Sequence, residues 1–137
     1  MAAAGRKENM KDILSKFKFR AKGAIINAPE IYRADILEIG FRDSMDPGTL
    51  QENTVVFLYS KSEFIDFLRQ KLPLILPDSV LWFAYQKGSS KIKTGLNRDI
   101  IRETAEQYGI TTVTAISIDE TWSALRFRPV EKVGKKA

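Results

Sequence analysis

The chain contains no cysteine and no histidine. Without cysteine there can be no disulfide, no zinc–thiolate site and no thiol nucleophile. Without histidine it lacks the usual general base near neutral pH and the commonest metal ligand. Any chemistry must run on carboxylates, Lys, Tyr, hydroxyls or a bound cofactor, and neither a catalytic residue nor a metal site can be assigned. No run approaches the roughly 18 apolar residues of a membrane span. The segment behind Met1 meets charge at Arg6, Lys7 and Glu8 before any apolar stretch, so a secretory signal is not expected. These absences suit a cytoplasmic protein without membrane contact.

A basic body is also lacking. The net charge of +5 sits at the two ends, with seven Lys/Arg against two Asp/Glu in residues 1–22 and three Lys against one Glu in residues 131–137. Residues 23–130 carry 12 basic and 14 acidic side chains. A broad nucleic-acid face is therefore not expected, and the basic ends read as solvated.

What remains is the composition of one ordinary globular domain: 137 residues, 44% apolar and 28% charged. Residues 1–10 are expected to be disordered, residues 11–130 to form a single domain, and residues 131–137 to be a basic flexible tail. Ile13, Leu14 and Phe17 fit one face of a leading helix. Gly23-Ala24-Ile25-Ile26 reads as a buried strand stopped at Asn27-Ala28-Pro29, with Pro29 opening a helix that ends near Gly40. Residues 41–45 suggest a short second strand. Thr54-Val55-Val56-Phe57-Leu58-Tyr59 is apolar and rich in β-formers, as a strand covered on both faces must be. Ser60 with Glu63 spells a capping box before a helix carrying Phe64, Phe67 and Leu68. Pro77-Asp78-Ser79 reads as a turn into the apolar strand Val80-Leu81-Trp82-Phe83-Ala84-Tyr85. A polar loop and a helix from about Asn97 to Tyr108 follow, with Gly109 as its left-handed terminator. Residues 111–118 and 122–128 alternate across a polar turn and predict an antiparallel hairpin. The order β-α-β-β-α-β-α-β-β predicts an α/β fold: a three-layer, Rossmann-like, doubly wound and mostly parallel sheet with a C-terminal antiparallel hairpin adding the edge.

Two resemblances enter here. The segments Ala24-Ile25-Ile26-Asn27-Ala28-Pro29-Glu30, Leu81-Trp82-Phe83-Ala84-Tyr85-Gln86-Lys87 with Ser89-Ser90-Lys91-Ile92-Lys93-Thr94 and Asn97-Arg98-Asp99, and Ile118-Asp119-Glu120-Thr121-Trp122-Ser123-Ala124-Leu125-Arg126-Phe127-Arg128 resemble an uncharacterised bacterial family. That resemblance covers the chain from about residue 23 and implies no activity. The second half also resembles the C-terminal half of class I S-adenosylmethionine-dependent methyltransferases. There a Pro-containing turn precedes a strand, as Leu76-Pro77-Asp78-Ser79-Val80-Leu81 does here, and a hairpin closes the sheet. The chain departs from that pattern after its first strand, where Asn27-Ala28-Pro29-Glu30 stands in place of a Gly-rich cofactor loop. The acidic residue that ends the second strand in those enzymes corresponds to Asp43 or Asp46.

Ligands of open α/β sheets bind at the carboxyl ends of the strands. Three segments should converge there: residues 27–30, 59–62 and 87–94. The loop with Lys87, Ser89, Ser90, Lys91, Lys93 and Thr94 offers ammonium groups and hydroxyls before a helix, the needs of a phosphate, although its spacing is not that of a P-loop. Asn27 and Glu30 could orient the same ligand, or could serve only the turn and the helix start. Asp119 and Glu120 read as a solvated pair in a hairpin turn. Arg126 and Arg128 share one strand face, spaced either to cradle a carboxylate or phosphate or to keep an edge strand from pairing. The expectation is a non-enzymatic domain binding a small anionic, phosphate- or nucleotide-like ligand. The alternatives are a diverged methyltransferase-like enzyme and a protein or nucleic-acid interaction module. The sequence fixes neither a cofactor nor an oligomeric state.

Overall fold

The structure is a computed structural model that describes residues 10–20, 23–45, 48, 50–87 and 95–133. Helix α1 spans Met10–Phe17, strand β1 Ala24–Ile26, α2 Glu30–Glu38, β2 Gln51–Phe57, α3 Lys61–Gln70, β3 Ile75–Gln86, α4 Arg98–Glu106, β4 Ile110–Ser117 and β5 Trp122–Pro129. The sheet order is β1-β2-β3-β5-β4. The pairings β1–β2 and β2–β3 are parallel, whereas β3–β5 and β5–β4 are antiparallel.

The sheet is mixed: two pairings are parallel and two antiparallel, with four of the five strands running in one direction and β5 alone reversed. The expectation for the edge is corrected: the antiparallel strand does not form it, because β5 inserts between β3 and β4, leaving β4 outermost. Burial explains the choice. In β5, Ala124, Leu125 and Phe127 are all buried, so both faces of the strand need cover, whereas Val113, Thr114 and Ala115 of β4 are exposed. The suggested second strand shrinks to one parallel bridge between Ala24 and Arg42. It is held by the Arg42 N–H on the Gly23 carbonyl (2.9 Å) and the Ile25 N–H on the Arg42 carbonyl (2.8 Å). Gly23 is required at this junction, because a Cβ there would lie 1.9 Å from the Asn53 carbonyl oxygen.

Alternation along the strands sends side chains to two cores, one on each face. Ile25, Val55, Trp82 and Ala124 meet Ile13 and Phe17 of α1 and Tyr32 and Ile36 of α2. Trp82 also donates its indole N–H to the Phe17 carbonyl at 2.9 Å, pinning the end of α1 to mid-sheet. On the other face Val56, Leu81, Phe83 and Phe127 meet Phe64 and Leu68 of α3 and Ile101 and Ala105 of α4. Helices thus cover both faces, and the three layers expected from the sequence are present.

The helix starts follow the local chemistry. Ser60 Oγ accepts the Glu63 N–H (3.1 Å), while Glu63 reaches back to the Tyr59 N–H (2.7 Å), one residue further than the usual reciprocal cap. Asn97 caps α4 by accepting the Ile100 N–H at 2.8 Å. The Pro77 turn proves to lie inside β3. Gln51 pairs with Ile75 and Asn53 with Val80, so residues 76–79 bulge out of the ladder. Asp78 adopts φ +60° there and forms a two-point ion pair with Arg128. Among the described residues no helix is long and apolar enough to cross a membrane.

Candidate functional site

The chain leaves β1 in two directions. After α2 it returns beside β1 at Arg42, on the side away from β2, and then crosses to β2 on the other side. Connections that diverge in this way open a crevice at the carboxyl ends of the strands. A cleft of about 400 Å³ lies there, between residues 43–45 and α3. Its floor is apolar, from Ile26, Val56, Leu58 and Phe67, and its polar lining comes from Asn27, Asp43, Ser44, Glu63, Asp66, Gln70 and Lys71. A smaller hollow of about 150 Å³ opens on the opposite face of β1, lined in part by Ala28 and Arg33. Asn27 and Asp43 line both and therefore stand astride the end of β1.

The turn after β1 is tight. Asn27 has φ +60°, a left-handed conformation that Gly and Asn adopt more readily than other residues. Its carbonyl accepts the Tyr59 hydroxyl at 2.9 Å, which ties the ends of β1 and β2 together. The Tyr59 ring meets Trp122 edge-on at 5.3 Å. Burial raises the Tyr59 pKa above the ordinary phenol value, with Arg33 opposing and Glu63 adding to the rise. This hydroxyl stays protonated and serves as a donor.

The expected site residues divide. Asn27 lines the cleft, whereas Glu30 is exposed in the first turn of α2 and does not. Lys87 is bound into the hairpin turn, donating to Ser117 Oγ (2.8 Å) and to the Asp119 carbonyl (2.6 Å). Ser89, Ser90, Lys91, Lys93 and Thr94 lie outside the described residues, as does Asp46.

Asp119 is not the solvated turn carboxylate the sequence suggested. Its Oδ1 accepts the N–H groups of Thr121 (2.7 Å) and Trp122 (2.8 Å), and its Oδ2 accepts the Tyr32 hydroxyl of α2. Lys16 of α1 donates to the Ser117 carbonyl beside it at 3.1 Å. This network fastens the hairpin to both helices of that face. Gln86, buried at the end of β3, keeps its side-chain oxygen without a partner.

Sequence reasoning missed Asp66, Gln70 and Lys71 as cleft residues. Asp66 and Gln70 stand i, i+4 on α3 with Lys71 capping its end, a polar face that nothing local tells from an ordinary solvated one.

No protein-family model and no curated protein sequence matches the chain. Solved structures do. A SAM dependent methyltransferase from Aquifex aeolicus superposes with a TM-score of 0.60 at 10% identity, over 93% of each chain. A methyltransferase from Pyrococcus furiosus aligns with a TM-score of 0.47 at 12% identity, over 88% of this chain and 70% of that one. The protein shares with the first an α/β, methyltransferase-like fold.

Proposed function

We propose that the domain binds a nucleoside-bearing small molecule of the S-adenosylmethionine kind in the cleft at the carboxyl ends of β1 and β2. The observation that carries this reading is the position of the cleft at the divergence point of the sheet, with the Asp43 carboxylate and the left-handed Asn27 turn at its edge. A carboxylate beyond a neighbouring strand is suited to ribose hydroxyls, which it accepts in pairs. Ile26, Leu58 and Phe67 offer an apolar bed for a base. Asp43, Glu63 and Asp66 against Lys71 favour a neutral or cationic ligand over a phosphate in this cleft. S-adenosylmethionine would bring a methyl group on a sulfonium centre. The chain's own residues would bind and orient it; the Tyr59 hydroxyl is engaged by the Asn27 carbonyl, which leaves the carboxylates of Asp43, Glu63 and Asp66 as the proton acceptors lining the cleft.

The fold match to a SAM dependent methyltransferase supports the ligand class. The departure at Asn27-Ala28-Pro29 bears on how closely a ligand approaches the backbone, because side chains stand where that pattern has glycine. An anionic ligand at residues 87–94 is the competing reading at this end of the sheet, although its Lys87 is already engaged.

Calorimetric titration of the full chain with S-adenosylmethionine, S-adenosylhomocysteine and adenosine tests the proposal. Binding should weaken about 10- to 100-fold in Asp43→Asn, the loss expected when hydrogen bonds to a charged acceptor are removed. No binding at millimolar concentration, or equal binding by the variant, would overturn it. Binding of ATP but not adenosine, unaffected by Asp43→Asn, would favour the anionic reading.

A further inference from the structure

A second cavity lies at the other end of the sheet, where β3 and β4 begin and β5 ends. It holds about 330 Å³ and shares no lining residue with the cleft at the carboxyl ends of β1 and β2. A volume of this size is that of a small-molecule pocket. Its floor is Ile75, Leu81, Ile110 and Phe127, all from the core on the α3 and α4 face. Leu50, 48% exposed, stands at its lip.

The walls are stiff. Pro73, Pro77 and Pro129, three of the five prolines in the chain, line the cavity, and a proline ring fixes its own φ. The 76–79 bulge carries Pro77 out of the ladder and supplies one wall. Gly109 supplies another, held by the Val130 N–H on its carbonyl at 2.8 Å. A Cβ at Gly109 would meet nothing within 4 Å, so the space beside it is open. Apolar side chains ordinarily close on one another, and here the fixed backbone around them keeps a hollow.

Two observations set the chemistry of the occupant. The charges in the lining cancel: Arg128 donates Nε and Nη2 to the Asp78 carboxylate at 2.7 and 3.1 Å, a pair already satisfied. The neutral polar side chain of the lining is Ser79, 5% exposed and two residues before Leu81 on the same strand face. Its hydroxyl donates to the Gln51 carbonyl at 3.5 Å, the outer limit of a hydrogen bond, and is free to turn to a better partner.

We propose that this cavity binds a small neutral molecule with an apolar body and a single hydrogen-bonding group. The body lies on Leu81, Ile110 and Phe127 between the proline walls, and the polar group meets Ser79 Oγ. A charged head would lose its water among apolar side chains where the counter-charge is already paired. A protein partner fits less well, because Leu50 is the only large apolar side chain of the lining that stands exposed among the described residues. The site stands independently of the reading given for the β1–β2 cleft.

Octanol, octanoate and octylammonium share one chain and differ in charge. Each is titrated into the full chain and followed by backbone amide chemical shifts. Saturable octanol binding is expected, with shifts centred on Leu76, Ser79, Gly109 and Ile110 and none at Asn27 or Phe67. Octanoate and octylammonium should bind at least about 10-fold more weakly. Ser79→Ala should weaken octanol binding about 3- to 10-fold, the loss of one hydrogen bond. No saturable octanol binding up to its solubility limit, or shifts centred on the β1–β2 cleft, would overturn the proposal. Equal or tighter binding of either charged compound, or unchanged binding by Ser79→Ala, would do the same. If those amides shift instead with protein concentration as dimers form, and octanol does not displace the dimer, the cavity is an interface between copies and the ligand site is refuted.

Discussion

Replacing Asp119 by Ala should destabilise the domain far more than a turn position ordinarily would. The carboxylate accepts two backbone N–H groups and the hydroxyl of Tyr32, a residue only 3% exposed. A hydrogen bond to a charged group contributes about 1.5–3 kcal/mol, and bonds sharing one acceptor do not add. Thr121 is exposed and its N–H can turn to water, whereas the Trp122 N–H and the Tyr32 hydroxyl are better shielded. The net loss should therefore be about 2–3 kcal/mol. For a chain of this length that corresponds to a fall in Tm of about 8–12 °C. Urea unfolding followed by tryptophan fluorescence is the assay, since Trp122 opens β5 directly after the turn and its N–H is one of the groups Asp119 holds. The midpoint should fall by roughly 1–2 M with the slope unchanged. Asp119→Asn, which keeps one acceptor oxygen, should recover about half of the loss. Glu38→Ala, an exposed change at the end of α2, should stay within about 0.5 kcal/mol. If Asp119→Ala unfolds at the same urea concentration as Glu38→Ala, the carboxylate does not hold the hairpin to α2 and is free for another role.

Two further outcomes follow from the backbone and the charges. Asn27→Gly should leave stability nearly unchanged, whereas Asn27→Val should cost about 1–2 kcal/mol, because φ +60° places a branched Cβ against the following carbonyl; equal melting temperatures for the two variants would show that the turn relaxes. Asp78 titrates below the ordinary carboxylate value because Arg128 hydrogen-bonds its ionised form. Its contribution to stability is therefore complete above the unfolded-state value of about 3.9 and is lost as pH falls through the lower folded-state value. The stability difference between wild type and Asp78→Asn should be constant from neutral pH to about 5 and shrink below about 4, and a difference that persists at the acid limit would contradict the pairing.

The sequence by itself determined what depends on near neighbours. The apolar run at residues 54–58 made a strand buried on both faces, and Ser60 and Asn97 began helices because their oxygens reach an N–H three residues on. Gly109 was legible as a left-handed residue after α4, and it has φ +90°. Alternation along each strand also assigned its side chains to two faces, as Trp82 and Phe83 in opposite cores show. Period two says nothing of which strand lies beside which. The placement of β5 between β3 and β4 follows only when the burial of Ala124, Leu125 and Phe127 competes with that of a threonine-rich strand. The bulge at 76–79 was legible as a turn, and its place inside β3 was not, because the pairing that spans it belongs to Gln51 and Asn53. The same holds for the sites. Asn27 could be singled out from its place after an apolar strand. The union of Asp43 with α3 in one cleft, the capture of Asp119 by a tyrosine 87 residues away and the meeting of three prolines around one cavity depend on distances that only the tertiary structure sets. A hydrogen bond or a charge pair is satisfied in space, and the chain order of its partners leaves no periodic trace.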